Sequence, residues 1–247
     1  DIGGTFTDFV LVDPDTMDIQ THKVPSIPSD PAEALVQGLA EMRLGAIEAI
    51  VHGTTVATNA ILERKGARCG LIATQGFRDI LELRRRDRPH AYGLTGSFEP
   101  LIPRDRRVEV KERIGSDGEV LVPVDVDAVA GAVYELLDLD VEGIVVAFMN
   151  AYANPINEQK ARDAIKSIRP DLHVSCSSEV LPLFREFERT STATVNAYVQ
   201  PIVTQYLQRV QDRLKSATGF DRNLLVMQSN GGMLDVDAIS DFPVHTV

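Results

Sequence analysis

Hydrophobic and polar positions alternate along this chain in two rhythms, period two and period 3.6, and their succession is that of an α/β protein. Residues 5–12 alternate and then run apolar through Phe9-Val10-Leu11-Val12. Asp13-Pro14-Asp15-Thr16 signals a turn, after which 19–24 returns as a second strand. Ser29-Asp30-Pro31 predicts a helix start, with Ala34, Leu35, Leu39 and Met42 as its apolar stripe. A short strand follows at 47–51. Thr54 or Thr55 then caps a second helix running through Lys65, with Gly66 as its stop, and 69–73 reads as a buried strand. After a polar, proline-punctuated stretch over 84–103, residues 108–114 and 119–122 flank Gly115-Ser116-Asp117-Gly118, which predicts an antiparallel insertion. A helix over 126–137, a strand over 143–148, a helix over 157–168 and a strand over 173–176 resume the α/β rhythm, so a first unit closes at 178. From 183 to 216 the pattern is helical, and Pro201 predicts a break into two helices. A strand over 224–228 leads into Ser229-Asn230-Gly231-Gly232, and the second unit, 179–247, reads as the start of a further α/β unit.

The opening string Asp1-Ile2-Gly3-Gly4-Thr5-Phe6-Thr7-Asp8 carries the first candidate chemistry. Gly3 and Gly4 lack a Cβ, so positive φ and close backbone approach to an anion are both open to them, with Thr5 and Thr7 adding hydroxyl donors. Asp1 at the mouth of such a loop suits a hydrated Mg²⁺ held against nucleotide phosphates. The plainer alternative is a hairpin turn with a solvated carboxylate. His52-Gly53-Thr54-Thr55-Val56-Ala57-Thr58-Asn59 falls between a strand end and a helix start, where open α/β sheets place ligands. His52, Thr54, Thr55 and Asn59 either line a cleft there, or serve as cap and packed strand residue. The basic cluster Arg84-Arg85-Arg86-Asp87-Arg88-Pro89-His90 either clamps a carboxylate or phosphate or forms a solvated loop. Arg185, Arg189, Thr192 and Asn196 share one helix face, which either borders a cleft or is an exposed stripe of Arg/Glu pairs.

Composition narrows the partners. The 247 residues carry a formal net charge of -11 with no long Lys/Arg run, which argues against DNA, RNA and anionic membranes. The longest apolar stretch, 143–149, is far short of the ~20 residues a membrane helix needs. Cys69 and Cys176 make neither a zinc pattern nor a disulfide framework, and a reducing cytoplasm is the expected compartment. Neither a Ser/His/Asp order nor a metal-binding His pair is visible, so the substrate that this chain activates is expected to be attacked by another group. The chain opens on Asp1 without methionine, and a strand that begins at its own functional carboxylate predicts a piece of a longer protein.

Taken together, Asp1 to Asp8, His52 to Gly66, Arg185 to Pro201 and Gln228 to Gly232 resemble the hydantoinase A / 5-oxoprolinase family. The resemblance implies an actin-like (RNase H-like) ATPase lobe, a mixed sheet flanked by helices. It implies a first phosphate motif at Asp1, Gly3, Gly4, Thr5 and Thr7, with ATP as nucleotide and Mg²⁺ near Asp1. It further implies phosphorylation of a cyclic amide's carbonyl oxygen, with ring opening in a hydantoinase B-type partner subunit or domain. Ketone (acetone or acetophenone) carboxylase subunits of the same family are an alternative, and a noncatalytic nucleotide-gated scaffold is one of another class. The resemblance places a second glycine-rich phosphate loop after Val247, so this stretch alone is expected to bind ATP weakly or not at all and to turn nothing over.

Overall fold

The computed structural model describes residues 1–27, 30–42, 47–85, 90, 92–93, 98–222 and 224–247. The expected helix-start residue Ser29, and Arg86, Asp87, Arg88 and Pro89 of the basic cluster, lie outside them. Packing divides the chain into two compact units, one of 1–65 with 202–247 and one of 66–201.

In the first unit β1 (Phe6–Val12) pairs antiparallel with β2 (Ile19–Pro25), in register from Phe6 opposite Pro25 to Val12 opposite Ile19. Alternation sends Thr7 and Phe9 inward and leaves Phe6, Val10 and Val12 exposed. Helix α1 (Pro31–Glu41) follows, with Pro31 in its first turn. The strand expected at 47–51 is shorter and later: β3 is Val51–His52. Helix α2 (Val56–Leu62) also ends earlier than expected. Its terminus is a Schellman turn made without glycine: Lys65 N–H donates to Ala60 O at 2.9 Å, Arg64 N–H to Ile61 O at 3.2 Å, and Arg64 takes φ +56°.

The second unit is built on β4 (Cys69–Thr74), short helix α3 (Ile80–Leu83), β5 (Arg107–Val110), the β6–β7 hairpin (Arg113–Ile114, Val120–Val122), α4 (Val126–Leu137), β8 (Gly143–Ala147), α5 (Ile156–Ile168), β9 (His173–Cys176) and short helix α6 (Ser177–Val180). Strands β5-β4-β8-β9 form an all-parallel sheet. β4 and β8 are buried at every position, which is why they read as unbroken apolar runs. Val129, Val133, Leu136 and Ile165 from the helices close on Ile72, Ile144 and Val146. The expected antiparallel insertion is therefore only half an insertion: 107–110 joins the parallel sheet as β5, and the hairpin is confined to β6 and β7. Gly66 belongs to this unit, and its lack of a Cβ has a packing cause rather than a capping one. A Cβ there would stand 2.0 Å from the Tyr198 ring.

Helix α7 (Glu186–Thr218) is continuous for 33 residues and carries Pro201 inside it, against the expected break. Proline removes one hydrogen bond, but Ala193, Ala197 and Val199 before it and Val203, Leu207 and Val210 after it are fully buried, so packing on both sides offsets the local cost. The chain then returns to the first unit as β10 (Leu225–Met227), β11 (Met233–Asp235) and α8 (Val236–Asp241). β10 pairs parallel to β3 and antiparallel to β11. Asn230-Gly231 forms the hairpin turn, with Gly231 at φ +87°. Single bridges from Ile2 to Thr7 and to Thr54 tie β1 to the β3 end, so the unit's pairing is mixed.

Candidate functional site

The first eight residues form a tight hairpin. Asp8 N–H donates to Asp1 O at 2.9 Å and Gly3 N–H to Phe6 O at 3.0 Å, closing a turn over Gly4 and Thr5. Neither Gly3 nor Gly4 takes the left-handed conformation expected for the turn. What glycine supplies is room: a Cβ on Gly4 would meet nothing within 4 Å, and one on Gly3 would lie 3.3 Å from Phe6 O. Thr5 is exposed, whereas Thr7 is fully buried and its hydroxyl meets Ser26 Oγ at 3.0 Å. Ser26 in turn donates its hydroxyl to Gly3 O at 2.7 Å and its N–H to Thr5 O at 2.9 Å. Thr7 thus supports the turn from beneath, and Thr5 and the backbone form its surface. The Asp1 carboxylate is exposed and lies against Gly53, where an added Cβ would stand 2.9 Å from Oδ1.

The segment after β3 divides its polar groups between interior and surface. His52 is 3% exposed, and its Nε2 meets the Tyr206 hydroxyl at 2.8 Å. Burial pushes the imidazole down to about 3, so it is neutral at pH 7, and burial pushes the Tyr206 hydroxyl up to about 12. Thr54 Oγ1 accepts from Val56 N–H at 3.3 Å. Thr55 and Asn59, one helical turn apart, are exposed and linked by an Asn59 Nδ2 to Thr55 Oγ1 bond of 3.3 Å.

These two pieces of chain share one cavity of about 540 Å³. Ile2, Gly3, Gly4, Ser26 and Ile27 line it together with Thr55, Val56, Asn59 and Ala60, and with Glu63 and Lys65, which pair at 2.7 Å. That volume lies within the range of small-molecule sites. The structure therefore brings Gly3 and Gly4 to Thr55 and Asn59, and turns His52 inward to Tyr206. Ser26, Glu63, Lys65 and Tyr206 escaped the sequence reading. Ser26 had a signal: the β1–β2 register puts it opposite Thr5.

Elsewhere, the helix face of Arg185, Arg189, Thr192 and Asn196 is neither an open cleft wall nor a uniformly exposed stripe. Arg189 is 1% exposed and donates to Ser177 Oγ (2.9 Å), Leu183 O (2.8 Å) and Phe148 O (2.6 Å). Asn196 donates to Ser175 Oγ at 3.0 Å. Ser177 Oγ donates to Glu158 (2.6 Å), a fully buried carboxyl that also accepts from Phe148 N–H and Ser178 and is raised above its ordinary range by burial. Arg85 pairs with Glu188, and Arg84 stacks on Phe98. Both cysteines are buried, and burial pushes the Cys69 thiol up to about 12 and raises Cys176 as well, so neither is an activated nucleophile.

Among the described residues no group of three or more His, Cys, Asp and Glu can hold a metal ion, and no helix is long and apolar enough to cross a membrane. The group beside the turn that could contribute to a Mg²⁺ shell is the exposed Asp1 carboxylate, since Mg²⁺ takes one or two carboxylates and completes its shell with phosphates and water.

The hairpin turn, the mixed pairing and the adjoining cavity belong to an actin-like ATPase fold, as the likeness to two solved structures shows. Residues 1–169 match the family described as the hydantoinase/oxoprolinase N-terminal region and 189–247 match the one described as hydantoinase/oxoprolinase; the chain belongs to this family. It is 36% identical to caprolactamase subunit alpha of Pseudomonas jessenii, over 94% of this chain and 35% of that protein. The crystal structure of the ATP-dependent caprolactamase from Pseudomonas jessenii superimposes with a TM-score of 0.86 at 34% identity, over 99% of this chain and 38% of that one. The nucleotide-free structure of acetone carboxylase superimposes with a TM-score of 0.85 at 28% identity, over 99% and 38% respectively. The chain thus spans little more than a third of the length of these relatives.

Proposed function

We propose that this chain is the nucleotide-binding portion of an ATP-dependent cyclic amidase. The observation that carries the reading is the single cavity in which the Gly3-Gly4 turn faces Thr55 and Asn59. The relatives named caprolactamase and the family named for hydantoinase and oxoprolinase support it. Backbone N–H groups of the turn and the Thr5 hydroxyl would hold phosphates, with Thr7 fixing the turn from below. Asp1 would hold Mg²⁺, which would neutralise charge on those phosphates. The amide carbonyl oxygen would attack the γ-phosphorus of ATP and release ADP. The carbonyl carbon would then bear phosphate as a leaving group. Water adds at that carbon, the ring C–N bond breaks with a proton passing to nitrogen, and a second water hydrolyses the acyl phosphate so formed to carboxylate and free phosphate. No nucleophile of this chain is needed at the carbon, in keeping with its two inert thiols. Ring opening is assigned to a hydantoinase B-type partner subunit or domain, and the compartment to the cytoplasm. A ketone carboxylase subunit is the second reading, supported by the likeness to acetone carboxylase.

The test is ATP hydrolysis by the full-length protein with its partner, across 5-oxoproline, hydantoins, caprolactam, and ketone plus bicarbonate. Stimulation by a cyclic amide is expected. Stimulation by ketone and bicarbonate alone would move the protein to the carboxylases, and no stimulation by any of them would favour a nucleotide-gated scaffold. Asp1→Asn should abolish Mg²⁺-supported turnover with the fold intact; retained turnover would refute the metal assignment.

A further inference from the structure

Ser26 lies some twenty residues from the hairpin in sequence, yet it holds the turn on both sides. Its hydroxyl donates to Gly3 O at 2.7 Å, its N–H donates to Thr5 O at 2.9 Å, and Thr7 Oγ1 completes the set at 3.0 Å. Because the Ser26 proton goes to Gly3 O, the Thr7 hydroxyl donates to Ser26 Oγ. All peptide bonds here are trans, and in a planar trans peptide the C=O and the next N–H point in opposite directions. Turning the Gly3 carbonyl to Ser26 therefore turns the Gly4 N–H away from it, and the Thr5 carbonyl does the same for Phe6 N–H. Among the described residues the Gly4 N–H meets no acceptor, and a Cβ at Gly4 would enter open space. A fixed, unpaired donor on a residue that lines the cavity is what an anion site requires.

We propose that Ser26 is a positioning residue for nucleotide phosphate: by taking the two turn carbonyls it fixes the direction in which the hairpin's free N–H groups point. The proposal rests on the ATP reading of the cavity and adds to it the group that sets the cradle's orientation. Without the Ser26 hydroxyl the Gly3 peptide is free to rotate, and its carbonyl oxygen, a repulsive neighbour for phosphate, gains access to the face the anion uses.

The experiment is calorimetric titration of the full-length protein with ATP, and separately with adenosine, in Mg²⁺. Ser26→Ala should weaken ATP by about tenfold or more, the scale of one charge-assisted hydrogen bond, and leave adenosine within about twofold. Ser26→Cys, close in size but a weak donor, should lose ATP similarly, whereas Ser26→Thr, which keeps the hydroxyl, should stay within about threefold of the parent. Equal loss of ATP and adenosine affinity, unchanged ATP affinity in both Ser26→Ala and Ser26→Cys, or a Ser26→Thr variant as weak as alanine would each overturn the positioning role. A parent protein that binds no ATP would instead overturn the nucleotide reading beneath it.

Discussion

At the scale of single residues, the site is governed by which polar groups point outward and which are spent inside. His52 was a cleft candidate beside Thr55, and a sequence has no means of showing that it pairs with Tyr206, 154 positions away. Its burial has a pH consequence. The unfolded imidazole takes a proton near 6.5, the native one only near 3, so between these values acidification favours unfolding by about 1.4 kcal/mol per pH unit. Urea unfolding of the parent and of His52→Gln from pH 7.5 to 4.5 should show the parent losing the stability difference as the pH falls; parallel curves would refute it. Gly66→Ala tests close packing at another residue. Its Cβ would enter the Tyr198 ring, and a cost of about 1–3 kcal/mol is expected in thermal or denaturant unfolding.

At the scale of elements, local signals served best where local energetics decide. Helix α4 lies where its pattern put it, 126–137, with Asp125 Oδ1 capping Asp127 N–H at 3.0 Å; β4, β8, α5 and β9 deviate by a residue at most. The end of α2 shows the limit. Gly66 is an attractive stop, but the chain turns two residues earlier, on Arg64, and Gly66 answers to Tyr198. Arg64→Gly should relieve the left-handed strain and raise stability by about 1 kcal/mol, read as a higher denaturant midpoint at unchanged slope. The expected break at Pro201 failed for the converse reason: a one-residue penalty is smaller than the burial that keeps α7 helical through it.

At the scale of the whole molecule, the two units carry buried ionisable groups of opposite sense. In 1–65 with 202–247, His52 resists protonation. In 66–201, Glu112 and Glu158 are raised by burial, so the native state binds their protons at a pH where the unfolded chain has released them. Stability from these two carboxyls grows as pH falls through the raised values toward 4.5 and is lost as pH rises. Hydrogen exchange at pH 5 against pH 7, corrected for intrinsic rates, should therefore show protection falling around 51–52 and 225–227 while 69–74 and 143–147 hold theirs. Loss in the parallel sheet first would contradict this balance.

Sequence alone determined the α/β alternation, most strand and helix limits, and the glycine-hydroxyl string whose family resemblance the comparisons bear out. Each of these is written in periodicity, caps and turns, which act over a few residues. Tertiary structure alone decided that Thr55 and Asn59 share a cavity with Gly3 and Gly4, that Ser26 clasps the turn, that His52 faces Tyr206, and that 202–247 packs with 1–65 through the β3–β10 pairing. Those outcomes depend on hydrogen bonds and burial between segments separated by twenty to nearly two hundred positions, and no local pattern encodes which distant partner a buried polar group will find.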